Sequence, residues 1–228
     1  MLLKDVQKYQ KLIFRNTAVK STLLLPEIKL HLIDKSCPWY FQSSVPELRS
    51  DPFWSVFWPG GQVLSRFIID NPCIVKERAV LDIGSGCGAL GISSSFSGAK
   101  SIICNDIDPI ANISGKLNCN INKVKNVLFN SDNIILDDYI MPEKRSVIFL
   151  GDMFYDEDIS QKILKWCQIQ CSANHDIYIG DPGRFGFEVI KKYSTKIVTY
   201  KLNDEECDEF DSASVYKLNL AHFPHKNC

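Results

Sequence analysis

The stretch Val80-Leu81-Asp82-Ile83-Gly84-Ser85-Gly86-Cys87-Gly88-Ala89 constrains this chain more than any other, because an apolar run breaks into three alternating glycines and then into helix-forming residues. Glycines at such a turn allow positive φ and let the backbone approach a ligand, while the first turn of the helix beyond offers unpaired N–H groups. The pattern predicts a βα unit with a nucleotide-type ligand seated at its turn. As Gly-x-Gly-x-x-Ala it also fits a dinucleotide fingerprint, so alone it does not choose the ligand.

From Arg78 onward, short aliphatic runs alternate with segments of helical period. Strands are predicted at Ala79–Ile83, Ser101–Asn105, Val127–Asn130, Val147–Gly151 and Asp176–Gly180, and helices at Ala89–Ser97, Pro109–Asn122 and Glu157–Cys171. Gly98 follows the first helix where a C-terminal cap belongs, and Pro109 opens the second, where a missing N–H costs nothing. Such alternation implies a parallel sheet with helices on both faces. The tail breaks the rhythm. Lys196–Leu202 and Ala213–Leu220 read as strands around the acidic, turn-rich Asn203–Asp211, and are expected to pair antiparallel at one sheet edge. The predicted class is α/β: a doubly wound seven-strand sheet, mostly parallel with an antiparallel C-terminal hairpin. Residues 1–57 form an N-terminal accessory segment with a strand near Glu27–Ile33. Trp58-Pro59-Gly60-Gly61-Gln62 then opens a helix, running to about Asp70, that begins the domain of residues 58–228.

Composition narrows the class. A chain of 228 residues, 45% hydrophobic, needs no disulfide or metal to build a core. Its longest apolar runs fall far short of the ~20 residues that span a bilayer, so no membrane role is expected. A net charge of -1 gives no field for a polyphosphate backbone, so nucleic acid is not an expected partner. The 9 cysteines include no CxxC pair and no zinc-type spacing with histidine. They read as reduced thiols used as small hydrophobes, and no metal site is predicted. Residues 1–20 carry Lys4, Lys8, Lys11, Arg15 and Lys20 against Asp5, with Val6, Tyr9, Leu12 and Ile13 at helical spacing. That suits either a short organelle presequence or a helix whose apolar stripe covers the core.

Two acids refine the ligand. Asp106 follows the second strand, where a carboxylate accepts ribose hydroxyls, a feature shared by several nucleotide-binding classes. Asp82 separates them. It stands two residues before the first glycine, where a carboxylate suits the ammonium of a methionine moiety better than a pyrophosphate. The expected cofactor is therefore S-adenosyl-L-methionine, held by Asp82, Gly84, Ser85, Gly86 and Asp106, with the Trp58 indole either a further wall of the site or a tryptophan packed at the edge. Ligands of open α/β sheets sit beyond the carboxyl ends of the strands, so Asp152 and Tyr155 after the fourth parallel strand should face the same crevice. There Asp152 orients an acceptor amine, and Tyr155 and Phe154 offer aromatic faces to its alkyl stem. Asp152 also reads as a helix N-cap, although Asp156, just before Glu157-Asp158, is the better cap. In Gly180-Asp181-Pro182-Gly183-Arg184 the arginine either holds a substrate carboxylate or belongs to a plain turn. The acidic run 204–211 reads as a solvated loop or a lure for a basic partner.

The spacing from Asp82 through Asp106 to Asp152 resembles the seven-strand class I S-adenosylmethionine-dependent methyltransferases. Trp58 to Gln62, Asn105-Asp106-Ile107-Asp108-Pro109, Gly151 to Asp158 and Gly180 to Arg184 are similar to the family of lysine methyltransferases that modify the β subunit of electron transfer flavoprotein. The likeness runs from about Pro26 to the C-terminus. It implies methylation of protein lysine by a monomer, with the flavoprotein β subunit as partner, in the mitochondrial matrix or else the cytoplasm. It also implies Asp152 and Tyr155 as the catalytic pair at the lysine pocket. A methyltransferase of small molecules would share every cofactor residue, and an interaction module with a vestigial loop would bind no cofactor.

Overall fold

The computed structural model describes residues 3–41, 45–46, 48, 51–202 and 209–219. Helix α1 (Leu3–Asn16) lays the stripe predicted for it, Val6, Tyr9, Leu12 and Ile13, against Trp39, Trp54, Ile110, Ile113 and Leu117. Two short strands follow, β1 (Ala18–Lys20) and β2 (Leu30–Leu32), paired antiparallel. The expected accessory strand near Glu27–Ile33 is thus the three-residue β2. Its partner β1 had no sequence signal, since three residues carry too little period to read. Helix α2 (Pro59–Asp70) begins with Trp58 as its N-cap residue and Pro59 as its first helical residue.

The main domain then runs through β3 (Ala79–Ile83), α3 (Ala89–Phe96), β4 (Ser101–Asn105), α4 (Pro109–Ile121), β5 (Val127–Asn130), β6 (Val147–Gly151), α5 (Glu157–Ser172) and β7 (Asp176–Asp181). A short α6 (Glu188–Lys191) leads to β8 (Ser194–Lys201) and β9 (Ser212–Leu218). The strands form one sheet in the order β5-β4-β3-β6-β7-β9-β8, the first five parallel and the last two antiparallel. The predicted seven-strand sheet is the observed one, with element ends shifted by one or two residues. The hairpin hangs on its second strand: β9 pairs with β7, and β8 lies outermost. Leu220 and positions 203–208 of the acidic run lie outside the described residues.

Because the chain moves outward from β3 to β5 and then returns to β6, the order reverses between β3 and β6. That reversal opens the crevice in which α/β sheets bind ligands. The sheet is covered on one face by Phe154, Ile163, Trp166 and Phe187, and on the other by Val63, Leu64, Phe67 and Ile68 of α2. Of the 7 described cysteines all are free, and Cys73 alone is exposed. Helix α4 ties the accessory segment down through side-chain amides. Asn118 accepts from the His31 N–H at 2.7 Å and donates to the Cys87 carbonyl at 2.9 Å, while Asn122 accepts from the Lys29 N–H at 3.0 Å.

The first turn of α2 crosses the ends of β6 and β7 with backbone directly on backbone. A Cβ on Gly60 or on Gly180 would run into the other's carbonyl oxygen, and one on Gly151 would lie 3.1 Å from Gly61 Cα. Only glycine permits that approach. Gly180→Ala is therefore expected to destabilise the fold by about 3 kcal/mol, as a methyl forced against the Gly60 carbonyl in a packed seam. In a domain of this size that lowers the melting temperature by roughly 6–12 °C in a thermal melt.

Candidate active site

The predicted glycine turn is built as its residues require. Gly84, Gly86 and Gly88 take φ of 65°, 47° and 78°, a region that side chains with a Cβ resist. The Ser85 N–H donates to the Asn105 carbonyl at 3.0 Å and Gly88 N–H to the Ser85 carbonyl at 2.8 Å, locking the turn across β3 and β4. Asp82, the last but one residue of β3, is 0% exposed. Its Oδ2 meets only the Cys104 thiol, at 3.8 Å, and Oδ1 has no partner among the described residues. Burial, then the Asp106 charge, pushes the Asp82 carboxyl well above the usual carboxylate range. The Ser85 hydroxyl is likewise buried without a partner among the described residues. Unsatisfied polar atoms carry a desolvation cost, so their gathering around one turn points to a polar ligand that completes them.

Asp106 accepts from the Gly86 N–H and the Asp108 N–H, both at 2.9 Å, one on each oxygen. Burial raises its carboxyl, and those two N–H groups pull it down. A carboxylate has about four lone-pair sites, so two remain for the pair of hydroxyls expected of a ribose. Met153 lies over the turn, where a Cβ on Gly84 would meet its sulfur. These residues fit the methyl donor: an acid for its ammonium, an acid for its ribose, and a glycine surface for close backbone approach.

Beyond β6 the structure places Asp152 in the left-handed region at φ 56°, its side chain buried. It does not cap α5. That role falls to Asp156, whose Oδ1 accepts the Ile159 N–H at 2.9 Å. Asp152 Oδ2 instead accepts the Gly60 N–H at the start of α2, and Oδ1 accepts Nε and Nη2 of Arg184 at 2.9 and 2.8 Å. Burial raises the Asp152 carboxyl, opposed by Arg184 and the Gly60 and Gly61 N–H groups. Arg184, expected to hold a substrate carboxylate or to sit in a plain turn, thus holds a carboxylate of its own chain.

Trp58 donates its indole N–H to the Phe53 carbonyl at 2.9 Å and turns its ring toward Arg184, 5.4 Å away. The tryptophan beside the glycine turn is Trp54, whose Cα would lie 3.7 Å from a Cβ on Gly86. Two tryptophans four residues apart, on a segment without period, gave no sequence signal to tell them apart. Tyr155 is 62% exposed at the crevice mouth, and burial and the charges of Asp156 and Asp106 raise its phenol. Phe154 offers no face to a substrate: it is 0% exposed and packs on Phe187 at 5.7 Å, because the chain turns inward after Asp152. Among the described residues no group of His, Cys, Asp and Glu could hold a metal ion, and no helix is long and apolar enough to cross a membrane.

The sheet order and the glycine turn with its two acids define a class I, seven-strand methyltransferase. The family model for ribosomal protein L11 methyltransferase (PrmA) matches residues 64–149. The N-methyltransferase NodS from Bradyrhizobium japonicum, solved with S-adenosyl-L-homocysteine, superposes with a TM-score of 0.53 at 13% identity, over 75% of this chain and 93% of its own. A putative RNA methyltransferase from Pyrococcus horikoshii superposes at 0.51 and 13% identity, over 95% and 97%. Both likenesses concern the fold. Sequence relatives are much nearer. The human electron transfer flavoprotein beta subunit lysine methyltransferase is 41% identical over 192 residues, covering 82% of this chain and 72% of its own length. The Caenorhabditis elegans homolog is 35% identical over 243 residues, covering 96% and 100%. The chain belongs to the electron transfer flavoprotein β subunit lysine methyltransferase family.

Asp181, which the sequence offered only as part of a turn, closes β7 at 1% exposure. Its Oδ1 accepts the Gly183 and Arg184 N–H groups at 2.7 and 2.8 Å, and Oδ2 has no partner among the described residues. Burial, opposed by those two N–H groups, pushes its carboxyl up to about 7. With the folded value above the unfolded one, the folded state holds a proton that the unfolded state has lost between about pH 4 and pH 7. Stability therefore falls as pH rises through that window. Asp181→Asn keeps the oxygen that fixes the turn and removes the titration, so its stability relative to the parent should grow by on the order of 2 kcal/mol between pH 5 and pH 7.5. Urea denaturation at the two pH values measures this, and a constant difference would show that Asp181 is ionised throughout.

Proposed function

We propose that the protein transfers methyl groups from S-adenosyl-L-methionine to lysine side chains of the β subunit of electron transfer flavoprotein. The single observation that carries the cofactor reading is the buried Asp82, with an unpartnered oxygen at the glycine turn. The acceptor follows from the relatives that bear the substrate in their names, at 35% to 41% identity over most of the chain. Asp82 would hold the cofactor's ammonium, Asp106 its ribose, and the backbone of Gly84, Ser85 and Gly86 its close approach, with Trp58 kept as a more distant wall. When bound, the cofactor supplies an electrophilic methyl on a sulfonium.

The chain's own task concerns the amine. A free lysine is protonated at pH 7 and has no lone pair with which to attack. A poorly solvated crevice that already holds one cation disfavours a second, so the neutral amine is favoured there. Asp152 orients that amine, and the proton leaves to solvent before the site closes. Alignment of nitrogen, methyl and sulfur is the larger demand. Tyr155, exposed at the mouth, offers its ring to the methylated ammonium as it forms. The reading extends to a monomer working in the mitochondrial matrix, with the cytoplasm as the alternative. Fractionation of cells expressing the tagged chain checks the compartment, and sedimentation checks the oligomeric state.

Two experiments test this reading. By calorimetry the protein binds S-adenosyl-L-methionine and not NAD, and Asp106→Ala weakens that binding by roughly 1.5–3 kcal/mol, the scale of charge-assisted hydrogen bonds to a carboxylate. An unchanged affinity in the folded variant removes Asp106 from the site. With tritiated cofactor and the flavoprotein subunit, label appears on lysine, and Asp152→Asn cuts the rate by about 100-fold, or ~2.7 kcal/mol, with cofactor affinity near the parent's. Near-normal turnover would remove Asp152 from the chemistry, and transfer only to free metabolites would favour the small-molecule reading.

A further inference from the structure

Asp152 is not merely paired; the cation beside it is boxed in. The Arg184 guanidinium lies 5.4 Å from the Trp58 ring centroid and 5.3 Å from that of Phe210, while two of its nitrogens reach Asp152 Oδ1. Its side chain is 16% exposed. A carboxylate at the end of a slot walled by two π faces is the arrangement that a cation on a flexible alkyl stem requires. We propose that Asp152, Trp58 and Phe210 form the subsite for the acceptor lysine's side chain, and that Arg184 fills this subsite as a surrogate cation that the lysine displaces. The proposal rests on the lysine methyltransferase reading and specifies where the lysine binds.

Three features support exchange over a fixed strut. Asp181 pins the Arg184 backbone N–H, so the guanidinium leaves by side-chain rotation without moving the strand end. Glu209 and Asp211 flank Phe210 and are exposed, giving the mouth a negative rim that suits both the departing and the arriving cation. A buried carboxylate without a counter-charge is costly, and the arriving lysine ammonium takes over that pairing from Arg184 as it binds, before its proton leaves to solvent. Product release follows from the same exchange. Each methyl removes an N–H donor from the lysine, whereas the guanidinium retains five, so Arg184 recovers Asp152 from a fully methylated product.

Occupancy by Arg184 lowers the apparent affinity for the acceptor by the fraction of open sites. If the filled state is favoured by about tenfold, Arg184→Ala raises kcat/KM for the protein acceptor by about tenfold, chiefly through KM, and Arg184→Lys falls in between. A strut that orients Asp152 gives the opposite, a lower kcat with KM unmoved. A second readout needs no turnover. Butylammonium chloride should raise the melting temperature of Arg184→Ala above that in sodium chloride of equal ionic strength, and should leave the double variant with Asp152→Asn unmoved. Absence of that shift in Arg184→Ala, or a fall in its kcat/KM, overturns the proposal. If the parent enzyme labels no lysine of the flavoprotein subunit, the functional reading fails separately, and the butylammonium melt still decides the subsite.

Discussion

One carboxylate holds three distant pieces of this chain together. Asp152 stands at the end of β6 in a left-handed conformation that costs a residue with a Cβ roughly 1–2 kcal/mol. Its N–H, donating to the Gly180 carbonyl at 3.1 Å, holds it there. From that position the side chain crosses to α2, where Pro59 has no N–H and the Trp58 side chain provides no cap, so Gly60 supplies the first donor to be satisfied. A negative charge at that helix end also complements its dipole. The remaining oxygen collects Arg184 from the turn after β7. The first turn of α2 and the resting place of the Arg184 side chain both depend on this one side chain.

The electrostatics of the crevice follow from the same economy of space. Asp82, Asp106, Asp152 and Asp181 lie at or just beyond the carboxyl ends of neighbouring strands, and burial raises the carboxyl of each. The whole chain carries a net charge of only -1, so this is a local concentration of acid and not a property of the surface. Such a site accommodates a ligand that brings positive charge with it, as a sulfonium and an ammonium do. A pyrophosphate would add charge of the same sign as the walls.

The fold was legible where period and punctuation agree. The run Val80 to Ile83, the glycines after it, Gly98 behind α3 and Pro109 before α4 each carry a local reason for a boundary, and those elements lie within a residue of expectation. The position of Asp106 was legible for the same reason, since it follows a strand of clear pattern. What stayed hidden depends on separation along the chain. Gly60 and Asp152 are 92 positions apart and Arg184 a further 32 beyond, and no local pattern announces that they converge. Phe154 was misjudged because alternation says nothing about a chain that leaves its strand and turns into the core. β1 was missed because three residues with an exposed face leave no trace of a strand.

Asn118 gives the accessory segment a stake in the cofactor loop. Its amide is shared: the oxygen takes the His31 N–H and the nitrogen gives to the Cys87 carbonyl, within the glycine turn. A side chain with both ends engaged transmits preference in both directions, because thermodynamic linkage is reciprocal. Whatever firms the turn also firms the docking of β2, so the loop that holds the nucleoside and the N-terminal segment are stabilised together.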